Sequence, residues 1–113
     1  MTFTLEDAPA ATVLTLRGEF DLSNTPDVED ALAQAASSDD PVLVVDLSEV
    51  TFAGTTMMRA LLAGRAAAES HGSELVVVRP TPIVWHGFEV MGLDEAFRAF
   101  ETLEAALAVR RDV

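Results

Sequence analysis

The sequence predicts an α/β domain with a mostly parallel central sheet of about five strands flanked by four helices. Short apolar segments typical of buried strands alternate with longer segments of helical periodicity, in the order β-β-α-β-α-β-α-β-α. The chain has 113 residues, a common size for one domain, and no repeat or linker divides it. We therefore expect a single domain over residues 1–113.

The composition narrows the classes of function. Nineteen acidic residues stand against seven basic ones, all arginine, and the formal net charge is −12 at pH 7. This charge repels nucleic-acid phosphates and anionic lipid headgroups, so we expect neither nucleic acid nor a membrane as a partner. The absence of cysteine excludes disulfides, thiolate nucleophiles and cysteine-bound zinc. No signal-peptide pattern opens the chain, which predicts a cytoplasmic protein.

The first half of the chain predicts two strands, a helix and a buried strand. Alternating residues over Thr12–Asp21 indicate a strand, preceded by a short edge strand at Phe3–Glu6. Ser23–Asp27 begins a helix, because capping side chains precede a proline in its first turn. Val42–Leu47 is a nearly continuous apolar run, typical of a strand covered on both faces.

A turn over Ser48–Gly54 then leads into a second helix from Thr55 to about Ser70, and Leu75–Val78 forms another buried strand. The glycine at position 72 stops that helix. The apolar stripe expected to face the core consists of Met58, Leu61, Leu62 and Ala66.

The last third predicts a helix, a strand and a helix. The third helix starts at Thr81 and Pro82, and Phe97–Phe100 forms a short strand with two inward aromatic side chains. Thr102–Val109 forms the last helix. Trp85 is either buried or an exposed anchor for a partner. The core candidates of the third helix are Ile83, Val84, Phe88 and Met91.

No catalytic or metal-binding pattern is visible. The two histidines, His71 and His86, lack a second ligand at metal spacing, and His71 sits where a cation suits the end of a helix dipole. The sequence contains no nucleophile elbow, dinucleotide fingerprint or phosphate loop. We therefore expect a protein that is not an enzyme and that uses neither metal nor cofactor.

One segment, Val45–Met58, runs from a central strand through a turn into the start of a helix. Functional groups of parallel α/β sheets collect beyond the carboxyl ends of the strands, where the adjacent hydroxyls of Thr55 and Thr56 fall. Thr55 can cap the helix, carry a function, or do both, and these interpretations stay open.

The string VLVVDLSEVTFAGTTMMRALL resembles the central signature of STAS domains, the fold of anti-sigma-factor antagonists. TVLTLRGEFDLSNTPDVEDAL resembles the second strand and first helix of that family, and SELVVVRPTPIVWHGFEVMGLDEAFRAFETLEAAL resembles its last half. The resemblance extends from about Thr12 to Leu107 in the same order and spacing. It implies a single STAS domain with a mostly parallel sheet.

The resemblance also implies partner switching. In this family, the unmodified antagonist binds an anti-sigma factor that is also a serine kinase, and thereby frees a sigma factor. The kinase then phosphorylates a Ser or Thr at the start of the second helix, which breaks the complex until a phosphatase reverses the modification. The alternative is a STAS module that only binds, without phosphorylation, within another regulatory or transport assembly.

By this resemblance the phosphoacceptor position falls on Thr55, with Thr56 as its neighbour. Gly54 stands where the family usually has Asp, and Met57 stands where it usually has Gly. Asp21 follows the second strand in a loop that lies near the acceptor in the family. The expected partner surface consists of Asp21, Gly54, Thr55, Thr56 and Met57, with the side chain of Met57 exposed.

Overall fold

The computed structural model describes residues 2–8 and 10–108. The predicted order of elements is confirmed, and the last residue of the predicted final helix, Val109, lies outside the described residues. The strands are β1 (Thr2–Ala8), β2 (Ala11–Phe20), β3 (Val42–Ala53), β4 (Glu74–Val78) and β5 (Arg98–Phe100). The helices are α1 (Thr25–Ala36), α2 (Thr55–Ser70), α3 (Pro82–Val90) and α4 (Leu103–Leu107).

The strands lie in the sheet in the order in which they occur in the chain, β1-β2-β3-β4-β5. β1 is antiparallel to β2, and the other three pairings are parallel, so the prediction of a mostly parallel sheet is confirmed. Val42 pairs with Ala11 on one side and with Glu74 on the other, which places β3 in the centre.

The two faces of the sheet are covered unequally. A large apolar cluster lies between one face and the helices α1, α2 and α3, and a smaller one lies under α4 on the opposite face. Burial of β3 on both faces explains why Val42–Val45 contains no polar residue. The largest side chains of the first cluster include Phe20, Phe88, Leu14, Leu32, Leu43 and Leu61. The second contains Val13, Val44, Val76 and Ala106.

The predicted turn over Ser48–Gly54 is wrong, because β3 continues to Ala53. Beyond Asp46, the strand has passed the end of β4 and pairs with β2 alone, through two register shifts. Ser48 and Glu49 were the polar residues that indicated a turn. They lie at the first shift instead, where the Ser48 backbone N–H donates to the Asp46 carboxylate at 2.9 Å. The buried Val50 keeps the rest of the strand on the core.

Two core predictions on the helices are also wrong. Ala66 is exposed, and Ile83 is 60% exposed. The short helix α3 turns Val84 and Phe88 inward, four residues apart, and this rotation points Ile83 outward. Trp85 is half-buried, with its ring 5.3 Å from that of Phe88.

The two aromatic residues expected to point inward from β5 lie on opposite faces of the sheet. Phe97 precedes the strand and packs on Phe88 at 5.4 Å between ring centroids, on the face covered by three helices. Phe100 ends the strand and packs against the cluster under α4. A separation of three residues in an extended chain reverses the direction of the side chain, which explains the difference.

Candidate functional site

The candidate site lies at the carboxyl edge of the sheet, where the loops after β2 and β3 meet. The backbone N–H of Gly54 donates to the carbonyl oxygen of Phe20 at 2.9 Å. This bond ties the start of α2 to the end of β2. The Asp21 loop therefore lies beside Thr55.

The two adjacent hydroxyls of the site differ in their environment. Thr55 is exposed, and within the described part of the chain its hydroxyl makes no hydrogen bond. Thr56 is half-buried, and its hydroxyl lies 2.8 Å from that of Thr25. The single proton of the Thr25 hydroxyl goes to the carbonyl oxygen of Asp21 at 2.8 Å, so Thr56 is the donor to Thr25. Thr55 thus carries the free hydroxyl of the pair.

The interpretation of Thr55 as the helix cap is wrong, because Gly54 occupies the cap position and Thr55 is the first helical residue. No side chain caps this helix, and its first turn contains no acidic residue. The carbonyl oxygen of Gly54 accepts from Met57 and Met58, which leaves the backbone N–H groups of Thr55 and Thr56 unbonded to any described residue. The positive end of the helix dipole is therefore open to an anion.

The expectation that the side chain of Met57 is exposed is wrong. Met57 and its neighbour Met58 are 0% and 1% exposed and belong to the main core cluster. The real inward stripe of α2 includes Gly64 and Ala68, residues too small to stand out in a hydrophobic pattern. Met57 therefore packs the start of α2 onto the core and does not form part of the surface.

Asp21 is exposed and held in a fixed position by its neighbours. Its carboxylate accepts from the hydroxyl of Ser23 at 2.6 Å and from the backbone N–H of Ser23 at 2.9 Å. Both bonds favour the charged form and lower the pKa of Asp21 below its usual value. Asn24 closes the loop by donating to the carbonyl oxygen of Glu19 at 2.9 Å. The site therefore presents an ionised carboxylate on an ordered loop.

Three exposed apolar side chains of the same edge were not in the predicted set. Leu22, Phe52 and Ile83 are 76%, 47% and 60% exposed. Leu22 follows β2, Phe52 is the last residue but one of β3, and Ile83 lies in the first turn of α3, which follows β4. Leu22 lines a groove of about 330 Å³ between α1 and α2, together with Thr56 and Arg59. Leu22 and Phe52 share one signal in the sequence, an apolar residue within a predicted turn, whereas Ile83 has no such signal because it lies in a helix and was expected in the core.

Within the described ranges, no three His, Asp or Glu side chains converge as metal ligands. Of the helices described, none combines the length and the apolar composition needed to cross a bilayer.

Comparison with known proteins identifies the family of this chain. The family model described as "Mlab, STAS domain" matches residues 3–107. The anti-sigma-F factor antagonist RsfB of Mycobacterium tuberculosis is 32% identical over 107 residues, which cover 95% of this chain and 87% of RsfB. The chain belongs to the STAS domain family, as the sequence resemblance predicted.

Two solved structures are similar over nearly the whole chain. An anti-sigma factor antagonist from Mycobacterium paratuberculosis is 31% identical with a TM-score of 0.87, and the match covers 98% of this chain and 94% of that one. The anti-sigma factor antagonist SpoIIAA in its unphosphorylated form is 19% identical with a TM-score of 0.83, over 99% and 98% of the two chains. At that lower identity the likeness shows the shared fold.

Proposed function

We propose that the protein is an anti-sigma factor antagonist that acts by partner switching in the cytoplasm, as a binding protein without catalytic activity of its own. The observation that carries the proposal is the free, exposed hydroxyl of Thr55 at the uncapped start of α2. The exposed apolar side chains of Leu22, Phe52 and Ile83 lie at the same edge of the sheet, in the loop after β2, near the end of β3 and at the start of α3, and offer area for a protein partner. The names of the relatives RsfB and SpoIIAA support this role.

In this proposal the partner is an anti-sigma factor that is also a protein kinase. The Thr55 hydroxyl oxygen forms a bond to the γ-phosphorus of ATP while the bond to ADP breaks, and the hydroxyl proton passes to a base of the kinase. The product carries about −1.5 to −2 additional charges at the centre of the contact surface. A partner packed on that surface then meets desolvation and repulsion, and the complex dissociates until a phosphatase hydrolyses the phosphate ester.

The start of α2 is suited to carry the modification without unfolding. The unbonded N–H groups of Thr55 and Thr56 favour an anion nearby, and Gly54 places no carboxylate beside it. The buried Met57 holds the helix start from the core side. The switch is therefore local: the fold persists and the interface fails.

A second candidate function, a STAS module that binds its partner without being phosphorylated, is favoured by one observation. Gly54 replaces the Asp that usually precedes the acceptor in the family, and with it a side chain able to orient the acceptor or its kinase. In that case the surface around Thr55 binds its partner constitutively.

The test is phosphorylation followed by a binding measurement. The protein is incubated with ATP and candidate anti-sigma factor kinases from its own cells, and its intact mass and fragments are then analysed. We expect one phosphoryl group on Thr55, its loss in Thr55→Val, and its retention in Thr56→Val. We also expect Thr55→Glu to bind the anti-sigma factor roughly tenfold or more weakly than the unmodified protein does, because a charge then enters the contact surface.

Two outcomes would contradict the switch at this position. One is modification of Thr56 instead of Thr55, and the other is unchanged partner affinity in Thr55→Glu. Stable binding with no modification would support the constitutive module instead. The matched Thr55→Val variant separates the effect of added charge from the loss of the hydroxyl, and it should keep the affinity of the wild-type protein.

A further inference from the structure

Arg59 differs from the other arginines in the described part of the chain. Each of the other four lies 2.9–3.4 Å from a carboxylate oxygen, whereas Arg59 is exposed and forms no such pair with a described residue. This is notable in a chain of 19 acidic residues, where a cation finds a partner easily. The four pairs are Arg17–Glu49, Arg65–Glu69, Arg79–Asp46 and Arg98–Glu74.

The position of Arg59 on α2 relates it to the hydroxyl of Thr55. The two residues are four positions apart, so they are neighbours on successive turns, with Cβ atoms about 5–6 Å apart. An anion that precedes a cation by four residues is the favourable orientation on a helix. Arg59 also lines the groove between α1 and α2 with Thr56 and Glu29, and Glu29 does not reach it as an ion-pair partner.

We propose that Arg59 binds the phosphate of phosphothreonine at position 55 within the same chain. This inference rests on the proposed function, since it concerns the modified form of the same site. The guanidinium donates paired N–H groups to phosphate oxygens, a geometry that suits arginine better than lysine. Together with the unbonded N–H groups of Thr55 and Thr56, it holds the phosphate along α2.

The pairing has a consequence for the switch. The phosphate occupies Arg59, so the one described arginine without an acidic partner becomes unavailable to a carboxylate of the anti-sigma factor. Phosphorylation then changes two features of the contact surface at once, because it adds negative charge at Thr55 and withdraws positive charge at Arg59. The folded, modified protein keeps its helix start because the added charge is partly neutralised within the chain.

The experiment measures the second pKa of the phosphate in the full-length protein. Phosphothreonine is incorporated at position 55 during synthesis, and its ³¹P chemical shift is followed against pH at low ionic strength. The same titration is made with Arg59→Gln and, as a matched control, with Arg65→Gln on the same helix, where the native arginine already pairs with Glu69 at 3.3 Å. Both arginines are surface residues, so both variants should fold.

We expect the second pKa of the phosphate to be about 0.3 unit lower in the wild-type protein and in Arg65→Gln than in Arg59→Gln. This is the effect expected of an exposed ion pair between residues four positions apart on a helix. The difference should shrink when salt is added. The Arg59 side-chain Nε–H resonance should also move on phosphorylation. Equal pKa values in the wild type and Arg59→Gln would overturn the proposal, as would an equal rise in both variants.

Incorporation during synthesis separates this proposal from the proposed function. The pairing of Arg59 is measured without any kinase, so its failure leaves phosphorylation of Thr55 and partner release intact. Conversely, a kinase that ignores Thr55 would contradict the switch while the ³¹P titration still reports the pairing. If Arg59→Gln weakens partner binding of the unphosphorylated protein and leaves the phosphate pKa unchanged, Arg59 serves the partner and the proposal is overturned.

Discussion

The first turns of α1 and α2 begin side by side at the carboxyl edge of the sheet, and they present opposite chemistry. Their starts are joined by the 2.8 Å hydrogen bond between Thr25 and Thr56. The first helical residue is the buried, hydrogen-bonded Thr25 in α1 and the exposed Thr55 in α2. The third is the exposed Asp27 in α1 and the buried Met57 in α2.

This difference shows that two helices can start at the same edge of a sheet while acidic side chains offset the dipole of only one of them. The carboxylate of Asp27 offsets the positive end of the α1 dipole, and Asp21 adds a second negative charge in the preceding loop. At α2, the third residue, Met57, is buried in the core, and the first turn contains no acidic residue. In a protein with a net charge of −12, the start of α2 is therefore the one of the two helix starts whose first turn carries no negative side chain.

The largest expected effect comes from the buried third position of α2. Met57→Ala should lower the free energy of unfolding by about 2–5 kcal/mol, because it leaves a cavity under the helix start. The equivalent change in α1, Asp27→Ala, should cost only about 0.3–1 kcal/mol, the value of a charge on the dipole. Urea denaturation of the two variants compares them, and equal losses would contradict the assignment of Met57 to the core.

A smaller effect is expected where the two helix starts are linked. Thr25→Val keeps the shape of a buried side chain but removes the partner of both Thr56 and the carbonyl oxygen of Asp21. It should lower the free energy of unfolding by about 1 kcal/mol. Thr55→Val alters an exposed hydroxyl and should stay within about 0.5 kcal/mol of the wild type. Thermal denaturation distinguishes the two, and a larger loss for Thr55→Val would show that its hydroxyl is engaged.

The smallest effect is a gain in stability. Gly54→Asp gives α2 the acidic cap that it lacks, and a Cβ there would lie 3.6 Å from the carbonyl oxygen of Phe20, an ordinary contact. Because the φ angle of Gly54 is −76°, the change should raise the free energy of unfolding by about 0.3–1 kcal/mol. The control is Gly72→Asp, where φ is +78° and the same residue should destabilise. Calorimetry measures both, and a loss in Gly54→Asp would contradict the free helix start.

Much of this fold could be predicted from the sequence because its signals are local and strong. The apolar run at Val42–Leu47 and the proline at the start of α1 each indicate an element without reference to the rest of the chain. The extension of β3 to Ala53 could not be predicted in this way. It depends on pairing with β2 through two register shifts, which is a tertiary feature that no local pattern of Ser48 and Glu49 reveals.

The candidate site was predicted in position and only partly in detail. Its place beyond β3 follows from the topology of parallel sheets, and the structure brings Asp21, Gly54 and Thr55 together there. The burial of Met57 was missed because Gly64 and Ala68 complete the inward stripe with little hydrophobic signal. A Cβ at Gly64 would lie 3.3 Å from the side chain of Leu32, so close packing of α1 on α2 selects glycine there.

The sequential order of the strands also bears on how the chain folds as it is made. Every strand after β1 pairs with the one that precedes it in the chain, and parallel partners such as Ala11 and Val42 are about 30 residues apart. Closing each such loop has a modest entropic cost, because no strand pairs with a segment that is distant in the sequence. During synthesis, the segment that pairs with each new strand has already been made. The pairing of β2 with β3, which brings the start of α2 beside the Asp21 loop, therefore closes without any segment that follows α2 in the chain.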